Sequence, residues 1–238
     1  MFLISRQNRL FTPPLTRIAI RYKLQIQEIL IVCFGNNKQR GGAYAPLCFF
    51  AIIRSMNRVS VYIDNSNVFK NIKSIRQNGD RSWSQLYDPL KLAEKLSSNR
   101  ELVAVYFYCV PPPAWLLSEN EESKQRHATA SKYYSAVGKL PKVELKYGYL
   151  QGDKSDPHEK NIDTQISSDM VAHAALSQYD TAILVSNDGD YLSAITNTKK
   201  LGKRVELLFF RGYLSGSLRK NCDLTRRARK VYFEPLAI

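Results

Sequence analysis

Carboxylate side chains follow two apolar segments of the sequence, where each segment turns polar. Asp64 and Asn67 follow the first segment, within VYIDNSN, and Ser186, Asp188 and Asp190 follow the second, within AILVSNDGDYLSAI. Carboxylate oxygens without a Cys or His partner favour a hard cation such as Mg²⁺ or Mn²⁺. Such ions activate water and shield phosphoryl oxygens, so the pattern favours phosphate-ester chemistry.

A third polar segment, EKNIDTQISSDMV, lies between these two and carries Lys160, Asp163 and Asp169. Taken singly, each aspartate has a structural interpretation, because Asp often forms turns or caps helices. Taken together, they predict a site: carboxylates that meet repel one another unless a proton or a cation neutralises them.

The surrounding pattern predicts how the acids come together. Apolar strands alternate with helices, which is typical of an α/β fold with a parallel sheet covered on both faces. We predict strands over residues 59–63, 102–110, 143–150, 181–185, 205–210 and 231–233, and helices over 88–98, 119–137, 162–176, 191–201 and 214–222. Ligands of such sheets bind beyond the carboxyl ends of the strands, where Asp64 and Asp188 are expected.

The net charge of +14 indicates a polyanionic partner, nucleic acid being the commonest. Several clusters are candidates for following a nucleic-acid backbone: Lys199-Lys200, Lys203-Arg204, Arg219-Lys220 and Arg226–Lys230. The four cysteines are scattered, which argues against a zinc site or a disulfide framework. No apolar run reaches the roughly 20 residues that span a bilayer, so a cytoplasmic protein without membrane contact is expected.

Residues 1–57 differ from the remainder of the chain. They are basic, nearly free of acids, and without helical or strand periodicity. We expect an N-terminal extension that is poorly ordered or non-native, followed by one domain over residues 58–238. A targeting extension, a nucleic-acid-binding arm and a start codon assigned upstream of a true start at Met56 are the three interpretations.

The segments YIDNSN, KNIDTQISSDMV and LVSNDGDYLSAI resemble the signatures of NYN domains, specifically the LabA-like (DUF88) branch of the PIN-like nuclease superfamily. The resemblance covers residues 58–233. It implies a three-layer α/β/α sandwich with a mostly parallel sheet and a Mg²⁺- or Mn²⁺-dependent acidic site that cleaves RNA. The chain departs from the family pattern at Asn161 and Asn187, where glycine is common.

The resemblance also assigns roles to residues. It implies four metal ligands: Asp64, Asp163, Asp188 and Asp190. Asn67 and Ser186 would position water or a phosphate oxygen, and Lys160 would stabilise developing charge. Asp169 lies six residues beyond Asp163, which turns it well away around a helix, and we expect it to support the site without binding the metal.

Three functions compete. The first is a metal-dependent ribonuclease of the endoribonuclease class acting on RNA, with other single-stranded nucleic acid as a further candidate substrate. The second is a nucleic-acid-binding or gene-regulatory module with weak or no catalysis. The third, a phosphatase of the haloacid-dehalogenase type, is disfavoured because it needs a second Asp two residues after Asp64, where this chain has Ser66. Endonucleolytic or exonucleolytic mode and homo-oligomeric state stay open.

Overall fold

The computed structural model describes residues 58–152, 154–211 and 216–238. The predicted extension, residues 1–57, lies outside this part of the chain, so its nature stays a prediction. No helix among the described residues is long and apolar enough to cross a membrane.

Six parallel strands form the central sheet, in the order β3-β2-β1-β6-β7-β8. Their bounds are β1 Arg58–Asp64, β2 Glu101–Cys109, β3 Val143–Tyr147, β6 Thr181–Val185, β7 Arg204–Phe209 and β8 Leu224–Arg227. A separate antiparallel pair consists of β4 (Tyr149–Gln151) and β5 (His158–Lys160). The strand order reverses between β1 and β6, and this is the position at which parallel sheets bind ligands.

Helices pack on both faces of the sheet. Their bounds are α1 Asn65–Gln77, α2 Pro89–Ser97, α3 Glu121–Val137, α4 Ile162–Ala175, α5 Leu192–Lys200 and α6 Gly216–Asn221. Because side chains alternate along a strand, Val61 and Ile63 pack with α1, α2 and α3, whereas Tyr62 packs with α4 on the other face. The predicted α/β fold, with helices flanking a parallel central sheet, is confirmed.

The hairpin of β4 and β5 differs from the sequence prediction. One strand was expected over residues 143–150 and a loop after it, but Gly148 separates β3 from β4, and β5 lies within the expected loop. A Cβ atom at Gly148 would lie 2.7 Å from the backbone oxygen of Lys160 and 2.8 Å from Cδ1 of Ile162. The hairpin therefore closes against the start of α4 through a glycine.

Two further elements differ. Helix α1 was not predicted, because only Asn65, Val68 and Ile72 are buried along it and the apolar pattern is weak. The last strand of the sheet is β8, whereas residues 231–233 were predicted to be that strand and largely form a 3-10 turn. Strand β8 reads LTRR, an edge sequence with little of the apolar pattern by which strands are predicted.

Candidate functional site

Asp64 occupies the junction between the central strand and the first helix. It is the last residue of β1 and the N-cap of α1, and its Oδ1 accepts a hydrogen bond of 3.0 Å from the backbone N–H of Asn67. The residue is only 4% exposed. The helix start therefore holds one face of a buried carboxylate in a fixed orientation.

The second oxygen of Asp64 accepts from the segment that follows β6. Ser186 donates from Oγ to Oδ2 at 3.1 Å, and the Tyr191 hydroxyl lies 3.0 Å from the same atom. Burial raises the pKa of Asp64 to about 6, and the negative charge of Asp163 adds to this, while the hydrogen bonds from Asn67, Tyr191 and Ser186 act in the opposite direction. Burial thus disfavours the ionised form of Asp64, and the hydrogen bonds from its neighbours offset this effect only in part.

Tyr191 joins Asp64 to Asp163. Its hydroxyl lies 2.6 Å from Oδ1 of Asp163, an exposed residue in the first turn of α4. The chain enters that turn through Asn161, whose φ of 74° is left-handed, a conformation that asparagine tolerates better than most residues. Carboxylates from β1 and α4 therefore converge on one hydroxyl group.

The Tyr191 hydroxyl remains protonated. Burial raises its pKa far above the ordinary value, and the negative charges of Asp64 and Asp163 add to this effect. A phenol carries one proton, so it donates to one carboxylate at a time. Tyr191 is not among the residues predicted from the sequence. The available signal was a tyrosine directly after Asp190, because a buried tyrosine hydroxyl usually finds a polar partner.

Asp188 and Asp190 shape the turn after β6. Asp188 donates its backbone N–H to Ser186 Oγ at 3.1 Å, and its Oδ1 accepts from the backbone N–H of Asp190 at 3.0 Å. Asp188 is half-buried and Asp190 is exposed. No group of three or more His, Cys, Asp or Glu side chains within the described ranges is arranged to hold a metal ion. The structure brings Asp64 and Asp163 together and leaves Asp188 and Asp190 at the rim.

Asn67 links α1 to the turn after β6 through a hydrogen bond. Its Oδ1 accepts from the backbone N–H of Asn187 at 3.0 Å and from Asn71 Nδ2 at 3.0 Å. Asn187 reaches on to the end of β7, where its Oδ1 accepts from the backbone N–H of Phe210 at 2.7 Å. The asparagine at position 187, one of the two departures from the family pattern, thus has a structural use.

Lys160 and Asp169 lie on β5 and α4, outside the shared contact of the two acids with the Tyr191 hydroxyl. Lys160 is exposed at the end of β5, opposite Tyr149 in the hairpin. Asp169 accepts from the Tyr108 hydroxyl at 2.8 Å and lies 3.2 Å from Lys146 Nζ. Tyr108 is the register partner of Asp64 across β1 and β2, so Asp169 contacts the strand beside the acidic pair.

The donors at the acidic pair suit a hard divalent cation. Asp64 and Asp163 offer only carboxylate oxygens, and one oxygen of each residue lies within 3.0 Å of the Tyr191 hydroxyl. Mg²⁺ is usually bound through one or two carboxylates with water completing its coordination. These residues therefore fit a metal of the Mg²⁺ or Mn²⁺ class.

The chain is similar to known proteins in sequence and in fold. Residues 58–227 match the family model described as NYN domain. The chain is also similar in fold to a solved structure, a protein of unknown function from Vibrio parahaemolyticus, with a TM-score of 0.51 and 17% identity. That likeness covers 74% of this chain and 95% of the other. No curated protein matches the sequence.

Proposed function

This chain belongs to the NYN domain family, and on that premise we propose that it is a ribonuclease that uses Mg²⁺ or Mn²⁺ to hydrolyse RNA. The family indicates a PIN-like nuclease. The observation that supports the finer proposal is the convergence of Asp64 and Asp163 on the Tyr191 hydroxyl. The proposal includes membership of the LabA-like (DUF88) branch and a cytoplasmic location.

Asp64 and Asp163 would hold the metal. When bound, the ion would supply a water that ionises near neutral pH and a positive charge for the phosphoryl oxygens. Asp64 meets this task as a preorganised ligand, since Asn67 and Ser186 fix its two oxygens. Preorganised groups need little reorganisation during the reaction.

The remaining predicted residues have roles at the rim of this pair. Asp188 and Asp190 are proposed as further oxygen donors to metal or water from the turn after β6. Lys160, exposed on β5 just before α4, is proposed to stabilise charge on the substrate phosphate. Asp169 is proposed to act through Tyr108, its hydrogen-bond donor, without touching the reacting groups.

Substitution of one acid inside and one outside the pair tests the proposal. Asp64→Asn removes a proposed ligand, and Asp169→Asn makes the same chemical change where the carboxylate contacts Tyr108 and Lys146. Cleavage of a labelled RNA panel is measured with Mg²⁺, Mn²⁺ or EDTA. We expect Asp64→Asn to lose at least about 100-fold in rate, because loss of groups that only orient metal ligands already costs 10–100-fold. Asp169→Asn should lose less in rate than Asp64→Asn, because Asp169 acts through Tyr108 and is not a proposed metal ligand.

Two outcomes would contradict the proposal: cleavage by Asp64→Asn at the rate of the unsubstituted protein, or cleavage that EDTA leaves unchanged. Titration calorimetry with Mn²⁺ provides a second measurement that does not depend on turnover. Heat of binding in the unsubstituted protein that disappears in Asp64→Asn would support the ligand assignment.

A regulatory module that binds nucleic acid without cutting it is the second candidate. It is favoured by the finding that two carboxylates, and not three or more, converge among the described residues. Tight RNA binding, with no cleavage in any metal by the unsubstituted protein, would decide for this alternative.

A further inference from the structure

Salt bridges occupy four of the ten basic residues that the sequence offered for nucleic-acid binding. The pairs are Lys199 with Asp223, Lys203 with Asp180, and Arg204 and Arg226 with Glu206. Lys203 is buried, and Glu206 is 3% exposed. These four cations stabilise the end of the sheet formed by β7 and β8, which makes them less available to a polyanion.

An open pocket of about 410 Å³ lies at the carboxyl end of α1. Its lining residues are all cations or side-chain amides: Lys73, Arg76, Gln77, Arg81 and Gln85. A pocket that offers hydrogen-bond donors and positive charge without a carboxylate suits an anion, and arginine in particular suits the geometry of phosphate.

The pocket is partly preorganised. Arg76 Nη1 donates to the backbone oxygens of Arg81 and Trp83, both at 2.6 Å, which fixes the guanidinium against the loop that follows α1. The acid within that loop, Asp80, accepts from Ser82 and from Trp83 Nε1, the latter at 3.0 Å. Its charge is thus engaged by the loop, and a ligand would lose less side-chain entropy on binding to a guanidinium that is already held.

Helix α1 connects this pocket to the acidic pair. Asp64 caps its first turn, and Phe69, Lys73 and Arg76 follow at intervals that place them on one face. Phe69 is 41% exposed, so its ring is accessible on this face. At about 1.5 Å per residue, Lys73 lies roughly 13 Å along the helix from Asp64.

We propose that the exposed face of α1 binds single-stranded RNA, with a base stacked on Phe69 and a backbone phosphate in the pocket of Lys73, Arg76 and Arg81. The inference rests on the proposed function, since it extends the substrate strand from the acidic pair. Single-stranded nucleic acid is typically bound by cations that contact the backbone together with aromatic rings that stack on bases. In a duplex the bases are already stacked, so this face selects unpaired strands.

Binding of RNAs of different length tests the proposal. The full chain carries Asp64→Asn, EDTA is present, and fluorescence anisotropy follows end-labelled RNAs of about 2 and about 14 nucleotides. A dinucleotide has a single phosphodiester and cannot span the roughly 13 Å from Asp64 to Lys73, whereas the longer strand can. The test variant adds Lys73→Gln with Arg81→Gln. The matched control adds Lys132→Gln with Lys139→Gln, two exposed lysines in and just after α3.

The test variant should bind the longer RNA about 10-fold more weakly than the control variant. The slope of log K against log salt concentration should become shallower by about 0.7 for each phosphate contact removed. Binding of the shorter strand and of duplex RNA should not distinguish the two variants. Phe69→Ala should weaken binding of the longer RNA, and Phe69→Trp should restore it, because stacking needs only an aromatic face. Inorganic phosphate should compete with the longer RNA in the Asp64→Asn protein and not in the test variant.

Equal binding of the longer RNA by the test and control variants would overturn the inference, as would an equal loss for the shorter strand. Cleavage by the protein with Asp64 intact is measured separately. Weaker binding in the test variant, with no cleavage by the intact protein, would support this site and refute the proposed catalysis. Cleavage by the intact protein, with RNA binding by the test variant equal to that of the control variant, would support the proposed catalysis and refute this site.

Discussion

Asp64 and Asp163 meet at a single hydroxyl group, that of Tyr191, which lies 3.0 Å from Oδ2 of the first and 2.6 Å from Oδ1 of the second. The two acids come from β1 and α4, and the tyrosine follows the turn after β6. A single buried proton thus lies between two carboxylates that would otherwise repel each other. The hydroxyl therefore links the two acids, which come from separate elements of the fold.

Removal of this hydroxyl should impair the site more than the fold. We expect Tyr191→Phe to lower the rate of RNA cleavage by about 10-fold and to raise the Mn²⁺ concentration needed for half-maximal activity, because groups that orient metal ligands have effects of this size. Steady-state rates across a Mn²⁺ series measure both changes.

Tyr179→Phe is the matched control for Tyr191→Phe. Tyr179 is also fully buried, and its hydroxyl donates to the backbone oxygen of Met170 at 2.6 Å. Both variants should lose about 1 kcal/mol of unfolding free energy, but only Tyr191→Phe should change the Mn²⁺ dependence. An equal effect of the two substitutions on cleavage would exclude a positioning role for Tyr191.

The buried carboxyl of Asp64 makes the stability of the metal-free protein depend on pH. Its pKa is about 6 in the folded chain and about 3.9 when unfolded, so between these values the native state holds a proton that the unfolded state has lost. The contribution of Asp64 to stability therefore falls as pH rises from about 4 to about 6 and is constant above that. Two pH units correspond to about 3 kcal/mol.

Urea unfolding of the Asp64→Asn variant in EDTA measures this effect. Asparagine does not titrate, so the variant should gain stability relative to the unsubstituted protein as pH rises from 4 to 6, and the gain should level off above pH 6. A difference in unfolding free energy that stays constant from pH 4 to pH 8 would show that burial does not raise the pKa of Asp64.

Gly148 is predicted to control the position of Asp163. In Gly148→Ala, the new Cβ would meet the backbone oxygen of Lys160 at 2.7 Å and Cδ1 of Ile162 at 2.8 Å, so β5 and the first turn of α4 must shift. Since displacement of a reacting group by about 1 Å can cost on the order of 100-fold in rate, we expect a large loss of cleavage, measured at saturating metal.

Gly138→Ala provides the comparison for Gly148→Ala. A Cβ at Gly138 would have its nearest neighbour at 3.5 Å, which is ordinary contact, so cleavage should stay within about 2-fold of the unsubstituted protein. Equal activity of the two alanine variants would mean that the hairpin does not determine where Asp163 lies.

Glu206 is predicted to matter for stability and not for catalysis. This buried acid, 3% exposed, pairs with Arg100 at 2.8 Å and with Arg204 and Arg226 at 3.1 Å. Glu206→Gln leaves three guanidinium groups without a counter-charge, so we expect a loss of about 3 kcal/mol in unfolding free energy. Glu159→Gln, which removes an exposed pair with Lys70, should cost less than about 1 kcal/mol. Urea titrations compare the two, and similar losses would contradict the prediction.

The strands that carry the acids were predictable because their sequences are locally consistent. Residues 59–63 and 181–185 are largely apolar and buried throughout, as a strand covered on both faces requires, and each is followed by a polar residue, Asp64 and Ser186. Helix α1 was not predictable in this way, since only Asn65, Val68 and Ile72 are buried along it, and packing of Val68 and Ile72 on the sheet decides its structure. Edge strand β8 was missed for a related reason: the pairing of Arg226 with Glu206 stabilises it in place of apolar burial.

The sequence alone predicted the parallel α/β arrangement and placed Asp64 and Ser186 at the ends of two strands, because periodicity and strand ends are local properties. Only the tertiary structure decided that Asp64 and Asp163 share the hydroxyl of Tyr191 and that Asp169 accepts a hydrogen bond from Tyr108. It also decided which cations are free for a ligand: Arg204 and Arg226 form salt bridges with Glu206, whereas Lys73 and Arg81 line an open pocket. The physical reason is distance in space: a charge or a hydroxyl acquires its role from neighbours remote in sequence, and no local pattern records which of them it will meet.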